Sequence, residues 1–177
     1  FICVMMSGGN TQIINVKGYT EFEVLGKTRD DAIGEAFDKV ARVVGLPYPG
    51  GPNIEKLAKE GEHTYDLPHP VMDDTYNFSY SGLKSAVINL VHNETQRGND
   101  IRKADLAKSF QDVAIDELVR KVELAFKNTG IKRLVIAGGV SANGYLKNEM
   151  KKLCDKYEAE LLIPRTLYCT DNAAMIG

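Results

Sequence analysis

Two apolar runs of strand length each end in a pair of adjacent glycines, and this feature constrains the fold more than any other in the sequence. The first run covers residues 1–6 and leads into Ser7-Gly8-Gly9-Asn10, and the second begins at Arg133 and reaches Gly138-Gly139. Because glycine has no Cβ atom, the backbone at such a strand end can approach a phosphate group closely. We therefore predict an α/β fold in which both glycine pairs face one cleft.

The remaining pattern predicts alternating strands and helices. Further strands are expected at 12–17, 21–25 and 160–163, and helices at 33–44, 52–59, 81–93, 103–128 and 141–157, with another helix starting at 171–176. The turn residues between the first three strands favour antiparallel hairpins. The alternation in the second half favours a mixed sheet with some parallel pairing, flanked by helices.

Two local patterns supplement this outline. Thr28 followed by Asp31 is typical of a capping box at the start of the first helix. Residues 61–80 contain two prolines and several aromatic residues and are longer than a plain connector needs, which predicts a folded surface excursion.

Composition narrows the class of protein. The 177 residues suit a single domain, and with 44% hydrophobic and 26% charged residues the chain is typical of a globular protein. No apolar run is longer than a strand, so no membrane span is expected. Three scattered cysteines predict reduced thiols in the cytoplasm. The chain starts at Phe1 and ends after an apolar stretch, so we expect it to be part of a longer protein.

Both glycine-rich turns have a second interpretation. Taken alone, the turn at Ser7-Gly8-Gly9 is more typical of a plain hairpin. The stretch from Leu134 to Asn143 opens a helix after two glycines, which favours an anion or nucleotide site, but an ordinary strand–helix connection has the same pattern. It lacks both the third glycine of the dinucleotide fingerprint and the lysine of the P-loop.

Three carboxylates are candidates for binding chemistry. Asp38 and Glu55 lie in predicted helices near these turns and are natural partners for ribose hydroxyls, although most helix carboxylates are simply solvated. Asp171 is either a helix cap or a metal ligand. The three histidines show no ligand spacing, and the net charge of −2 gives no general affinity for RNA, so an RNA contact requires a local patch.

Six motifs taken in order are far more specific than any one of them. They are Ser7-Gly-Gly-Asn-Thr-Gln12, Gly34-Glu-Ala-Phe-Asp-Lys39, Tyr48-Pro-Gly-Gly-Pro52, Phe78-Ser-Tyr-Ser-Gly-Leu-Lys84, Ala137-Gly-Gly-Val-Ser-Ala-Asn143 and Thr170-Asp-Asn-Ala-Ala-Met175. Together they resemble the family of tRNA adenosine threonylcarbamoyltransferases, formerly called glycoproteases, and match the C-terminal half of that family's chain.

The resemblance implies a lobe of the actin/Hsp70/sugar-kinase (ribonuclease H-like) α/β fold. It implies transfer of a threonylcarbamoyl group from threonylcarbamoyl-adenylate to the adenosine beside the tRNA anticodon, together with partner subunits of the tRNA modification system. By motif, the loop Met5-Met6-Ser7-Gly8-Gly9 would bind the phosphate and acyl region. The ribose would be held by Asp38, Gly51 and Glu55, and the base side by Asn143.

The resemblance also implies one iron or zinc ion, with Asp171 as one ligand and a His-x-x-x-His pair from the family's N-terminal half as others. This chain contains no such pair, so we expect it neither to hold a metal tightly nor to modify tRNA alone. Three alternatives stay open at the level of sequence: an ATP-dependent kinase lobe of the same superfold, the metalloprotease of the older name, and a scaffold that docks partner subunits.

Overall fold

A computed structural model describes residues 1–70, 73–170 and 172–173, which form a single five-stranded sheet packed with helices. The strands are β1 (Ile2–Met6), β2 (Thr11–Val16), β3 (Phe22–Lys27), β4 (Arg133–Ala137) and β5 (Glu160–Leu162). The helices are α1 (Ile33–Val43), α2 (Gly50–Ala58), α3 (Ser81–Gln96), α4 (Lys103–Thr129) and α5 (Gly144–Tyr157). Short 3-10 helices occupy Gly139–Ala142 and Thr166–Tyr168.

The sheet is mixed, as the sequence predicts. Its strand order is β3-β2-β1-β4-β5, with antiparallel pairing among the first three strands and parallel pairing of β1 with β4 and of β4 with β5. Since β1 and β4 are parallel neighbours, their carboxyl ends meet at the same edge of the sheet. This topology brings the two glycine pairs together and confirms the predicted α/β class.

The two faces of the sheet differ in burial. Ile2, Val4 and Met6 of β1 are fully buried against the helices. On the opposite face, Cys3 of β1 lies beside Ile14 of β2, and Ile14 lies beside Val24 of β3. Cys3 and Ile14 are partly buried and Val24 is exposed, so this face becomes more exposed toward β3. Among the described helices, none is long and apolar enough to cross a membrane.

The capping box predicted at Thr28 and Asp31 is wrong. The α1 helix begins at Ile33, whose backbone N–H donates to the hydroxyl oxygen of Thr11 in β2 at 2.9 Å. Thr28 instead donates to the carbonyl of Asp31, and the Asp31 carboxylate pairs with lysines. A side chain from another strand therefore caps this helix, which no local pattern reveals.

A second difference lies after β4, where a single helix was expected from residue 141. Asn143 has an extended backbone (φ −60°, ψ 123°), so the 3-10 turn Gly139–Ala142 ends before it and α5 begins at Gly144. The expected helix at 171–176 lies largely outside the described residues, which include only 172 and 173 of that range.

The excursion predicted at 61–80 is folded onto α4, in the part of it that the structure describes. Leu67, Phe78 and Tyr80 are buried in the core. The fully buried ammonium group of Lys121 donates to the carboxylate of Asp73 at 2.6 Å and to two backbone carbonyls. Contacts with side chains of α4 thus hold this segment in place, although it forms no regular secondary structure over most of its described length.

Candidate functional site

A cavity of about 370 Å³ lies where the carboxyl ends of β1 and β4 meet the start of α2. Gly8 follows β1 and Gly139 follows β4, and both line this cavity. The expectation that the two glycine pairs face one cleft is therefore confirmed for one glycine of each pair. This volume is within the range of small-ligand pockets, and strand ends in α/β sheets are common ligand sites.

The turn after β1 is closed by its own serine. The Ser7 hydroxyl oxygen accepts hydrogen bonds from the backbone N–H groups of Gly9 at 3.3 Å and Asn10 at 3.0 Å. Ser7 N–H in turn donates to the carbonyl of Asn10 at 2.8 Å. Gly34 of α1 lies directly beneath this turn, because a Cβ atom there would lie 2.6 Å from the Ser7 carbonyl oxygen. The first glycine turn is thus closed by three hydrogen bonds of its own and packs directly on α1.

The turn after β4 requires glycine at its first position. Gly138 has φ +90°, and a Cβ atom there would lie 2.2 Å from the carbonyl oxygen of Met6. Among the described residues, apart from its two chain neighbours, no heavy atom lies within 4 Å of a Cβ placed on Gly139. The backbone of the second turn therefore packs tightly on the end of β1, while the following glycine borders open space in the cavity.

Asp38 connects α1 to the loop that opens α2. Its carboxylate accepts a hydrogen bond from the backbone N–H of Gly50 at 2.7 Å, and the residue also lines the cavity. The loop cannot move further from α1 without losing this bond. Gly50 lies so close that a Cβ atom on it would be 2.6 Å from the Cα of Asp38.

The far wall of the cavity is held by Glu55 and Asn143. The Glu55 carboxylate accepts a hydrogen bond from the backbone N–H of Gly144 at 3.0 Å. Asn143 is the N-cap of α5, with its side-chain oxygen 2.9 Å from the backbone nitrogen of Leu146. Both side chains are engaged with the protein as well as lining the cavity.

The residues that the sequence assigns to binding divide into three groups. Five of them line the cavity: Gly8, Asp38, Gly51, Glu55 and Asn143. Four others, Met5, Met6, Ser7 and Gly9, adjoin it without lining it, and the Met6 side chain is fully buried in the core, so only its backbone is near the turn. The proposed metal ligand, Asp171, lies outside the described residues.

Sequence reasoning missed part of the lining. Besides Gly139, which the sequence already predicted to face the cleft, the additional lining residues are Gly34, Phe37, Tyr48, Pro49, Pro52, Val140, Ala142 and Thr170. All of them belong to the six motifs already singled out, but binding was assigned only to the turn at 5–9 and to Asp38, Gly51, Glu55 and Asn143. The cavity is therefore more apolar than the chosen residues suggest.

Metal ligands do not cluster in the part of the chain that the structure describes. It contains no group of three or more His, Cys, Asp or Glu side chains arranged to hold an ion. Two of the histidines pair singly with carboxylates on α4, His63 with Asp112 at 3.0 Å and His69 with Asp116 at 3.8 Å.

The chain is similar to a well-defined group of proteins. The sequence profile of the tRNA N6-adenosine threonylcarbamoyltransferase family matches residues 2–177. Proteins of that name from Staphylococcus saprophyticus, Staphylococcus aureus strain Newman and Staphylococcus carnosus are each 49% identical to it over 177 residues. The alignments cover 99% of this chain and 52% of each relative, so the chain spans about half the length of the curated relatives it matches.

A solved structure has the same fold. The crystal structure of full-length HypF in its phosphate- and nucleotide-bound form superposes with a TM-score of 0.69 at 15% identity, covering 96% of this chain and 37% of HypF. At that identity the similarity establishes the fold alone. The family match over nearly the whole sequence, with 49% identity to its members, shows that this chain belongs to the tRNA N6-adenosine threonylcarbamoyltransferase family.

Proposed function

We propose that the cavity binds the adenylate part of threonylcarbamoyl-adenylate and that the protein takes part in moving the threonylcarbamoyl group to the adenosine beside the anticodon of tRNA. The observation that carries this proposal is the convergence of Gly8, Gly139 and Asp38 on one cavity at adjacent parallel strand ends. Exposed backbone at such ends suits a phosphate, and a carboxylate beside it suits ribose hydroxyls. The bound phosphate and nucleotide in HypF, which has the same fold, support the assignment.

The cavity provides different chemistry for each part of an adenylate. Backbone at Gly8 and Gly139 faces the phosphate, since among the described residues no side chain intervenes. Asp38 and Glu55 face the ribose. The base occupies the apolar portion of the lining, to which Val140 contributes, with Asn143 at its edge.

The transfer needs an electrophile that is held in place and shielded from water. The amino nitrogen of the tRNA adenosine forms a bond to the carbamoyl carbon, the bond from that carbon to the phosphate oxygen breaks, AMP leaves, and the nitrogen loses a proton. Because the mixed anhydride is reactive, exclusion of water decides whether transfer or hydrolysis occurs. Rigid turns such as Ser7–Asn10 hold the phosphate in one position and thereby orient the carbamoyl carbon.

A divalent iron or zinc ion is the cofactor that the family resemblance implies, and a bound ion would polarise the phosphate or carbonyl oxygen. The described residues do not form a ligand set for it. We therefore propose that Asp171 supplies one ligand and that the half of the family's chain not matched here supplies the others. We expect the purified protein to lose any divalent metal to a chelator.

The same proposal also specifies the acceptor, the partner proteins and the compartment of the reaction. The acceptor is tRNA, partner subunits of the modification system bring it to the site, and the reaction takes place in the cytoplasm. Since the net charge is −2, most of the tRNA contact comes from those other components.

The proposal is tested by a transfer assay with unmodified tRNA and threonylcarbamoyl-adenylate, read by mass spectrometry of the nucleosides. The protein is assayed alone, and again with partner proteins and the half of a staphylococcal relative that it does not match. We expect modified adenosine only in the complemented reaction, and less of it with Asp38→Ala than with the control Glu158→Ala, whose carboxylate is 89% exposed. Modification of tRNA by the protein alone would contradict the proposal that transfer also needs the other half of the family's chain and the partner proteins. Phosphoryl transfer from ATP to a small substrate would favour a kinase.

A further inference from the structure

Both ends of the Asn143 amide group are occupied by the protein. Its oxygen accepts the backbone N–H of Leu146, and its nitrogen donates to the side-chain oxygen of Gln111 at 3.1 Å. Because the Leu146 N–H requires an oxygen, the orientation of the Asn143 amide is fixed. Gln111 must then present its own oxygen to Asn143, so the orientation of both amides is determined.

Gln111 is an unusual residue for its place in α4. It is only 3% exposed, and Phe110, Val113 and Ala114 beside it in the helix are buried. Burying an amide is unfavourable unless its polar atoms find partners. The hydrogen bond to Asn143 is the contact that the structure gives to its side-chain oxygen.

The connection between β4 and α5 is therefore anchored at both ends. At its start, Gly138 packs on the backbone of Met6. At its end, Asn143 is held by Gln111, and the neighbouring Gly144 N–H is held by Glu55. The residues between these anchors, which include Gly139 and Val140, form one wall of the cavity.

Gln111 does not itself line that cavity. It lines a second cavity of about 300 Å³ between α2, α4 and α5, together with Glu55 and Gly144. Its side chain therefore lies on the far side of Asn143 from the first cavity. It can affect a ligand bound there only by positioning Asn143.

We propose that Gln111 is a positioning residue for nucleotide binding: by holding Asn143 from behind, it fixes the β4–α5 connection at the distance from Gly8 that an adenylate phosphate requires. This inference rests on the proposed function, because it assumes that an adenine nucleotide occupies the first cavity. The property of Gln111 that matters is the side-chain oxygen that accepts a hydrogen bond from Asn143. The size of the side chain does not by itself fix the connection.

The experiment compares Gln111→Met, which keeps an unbranched chain of similar length but has no acceptor oxygen, with Gln111→Glu, which keeps one. Gln96→Met, the same change at an exposed position in α3, is the control. Each variant is measured by hydrogen exchange of the backbone across residues 139–146 and by calorimetric titration with ATP at a temperature where it is fully folded.

We expect Gln111→Met to raise exchange across 139–146 and to weaken ATP binding about tenfold. Gln111→Glu restores both, since its oxygen still accepts from Asn143, and Gln96→Met changes neither. Should Gln111→Met not fold, Gln111→Asn gives the same comparison, because its amide is one carbon too short to reach.

Unchanged exchange across 139–146 in Gln111→Met would overturn the inference, as would faster exchange with unchanged ATP affinity. Loss of affinity that Gln111→Glu fails to restore would also contradict it. If the unsubstituted protein binds no ATP, the proposed function fails separately, and the exchange comparison still decides whether Gln111 fixes the connection.

Discussion

The carboxylate of Asp38 lies 2.7 Å from the backbone nitrogen of Gly50, so a side chain that lines the cavity also holds the first residue of α2 in place. The proposed function therefore gives Asp38 a role in binding in addition to its structural one. The two roles depend on different properties, because an oxygen atom suffices to accept the Gly50 N–H, whereas a ribose hydroxyl is bound more strongly by a charged oxygen.

Substitutions of Asp38 separate these roles. We predict that Asp38→Ala weakens ATP binding about tenfold or more and lowers the free energy of unfolding by about 1 kcal/mol. Asp38→Asn keeps an acceptor for Gly50, so its stability stays close to that of the unsubstituted protein while ATP binding still weakens. Calorimetric titration and urea unfolding of both variants provide the measurement. Equal affinity with lowered stability in both would show that Asp38 is only structural.

Gly138 and Gly139 are neighbours with different requirements. We predict that Gly138→Ala lowers the free energy of unfolding by about 2–4 kcal/mol, because φ is +90° and the new Cβ atom would meet the Met6 carbonyl oxygen. Gly139→Ala places its Cβ atom in open space, so we expect a change in stability below about 0.5 kcal/mol and weaker ATP binding. Thermal or urea unfolding of the pair is the measurement, and similar stabilities would contradict the account.

The meeting of the glycine-rich ends was predictable from the sequence because it follows from topology. Runs of strand length that end in glycine pairs predict exposed backbone, and parallel pairing of β1 with β4 places those ends side by side. The carboxylate of Asp38 was placed correctly near them because its motif occupies the first turns of α1, directly beneath the Ser7 turn.

Contacts between distant segments were not predictable. The hydroxyl of Thr11 in β2 caps α1, whereas the local pattern pointed to Thr28. Gln111 reaches Asn143 across 32 residues of sequence, and within α4 it looks like any polar residue of a long helix. A single sequence carries helix periodicity and turn chemistry, but it does not indicate which side chain of a distant element will satisfy a given backbone group.

The buried ammonium group of Lys121 holds the segment that follows residue 72. We predict that Lys121→Met lowers the free energy of unfolding by about 1–3 kcal/mol, since the carboxylate of Asp73 keeps Arg29 but loses its ammonium donor, and the carbonyl of Thr75 loses its donor as well. Lys127→Met on the same helix is the control: its side chain is 56% exposed, and its pairing with Glu123 at 3.5 Å contributes about 0–1 kcal/mol. Chemical unfolding measures both, and equal losses would contradict the assignment.

Asp30 gives the protein a dependence on acid pH. Burial alone would raise the pKa of its carboxyl group, but hydrogen bonds from Ser79, Tyr80 and Ser81 outweigh it and hold the pKa below its ordinary value of 3.8. Two of these donors are the backbone N–H groups of Tyr80 and Ser81 at the start of α3, so the Asp30 carboxylate also satisfies that end of the helix. Because the pKa is lowered by folding, the stabilisation is present above pH 3.8 and is lost as the pH falls through the folded-state value.

We therefore predict that Asp30→Ala lowers the free energy of unfolding by about 1–2 kcal/mol at pH 7, and that the difference shrinks as the pH falls below about 4. Urea unfolding at pH 7, 5 and 3 measures it. Asp155→Ala, at an exposed position in α5, serves as the control and should show little change at any of these values. A difference for Asp30→Ala that stays constant with pH would mean that the charge of this carboxylate does not matter.

We propose that the ends of β1 and β4 together form an adenine-nucleotide site. The test follows the backbone amide resonances of the glycines during titration with ATP. We predict that the amides of Gly8 and Gly139, which border the cavity, shift together and saturate at one concentration. Those of Gly98 and Gly130, which follow the ends of α3 and α4, stay unchanged. Saturable shifts that leave Gly8 and Gly139 unmoved, or no shifts at millimolar ATP, would contradict the claim.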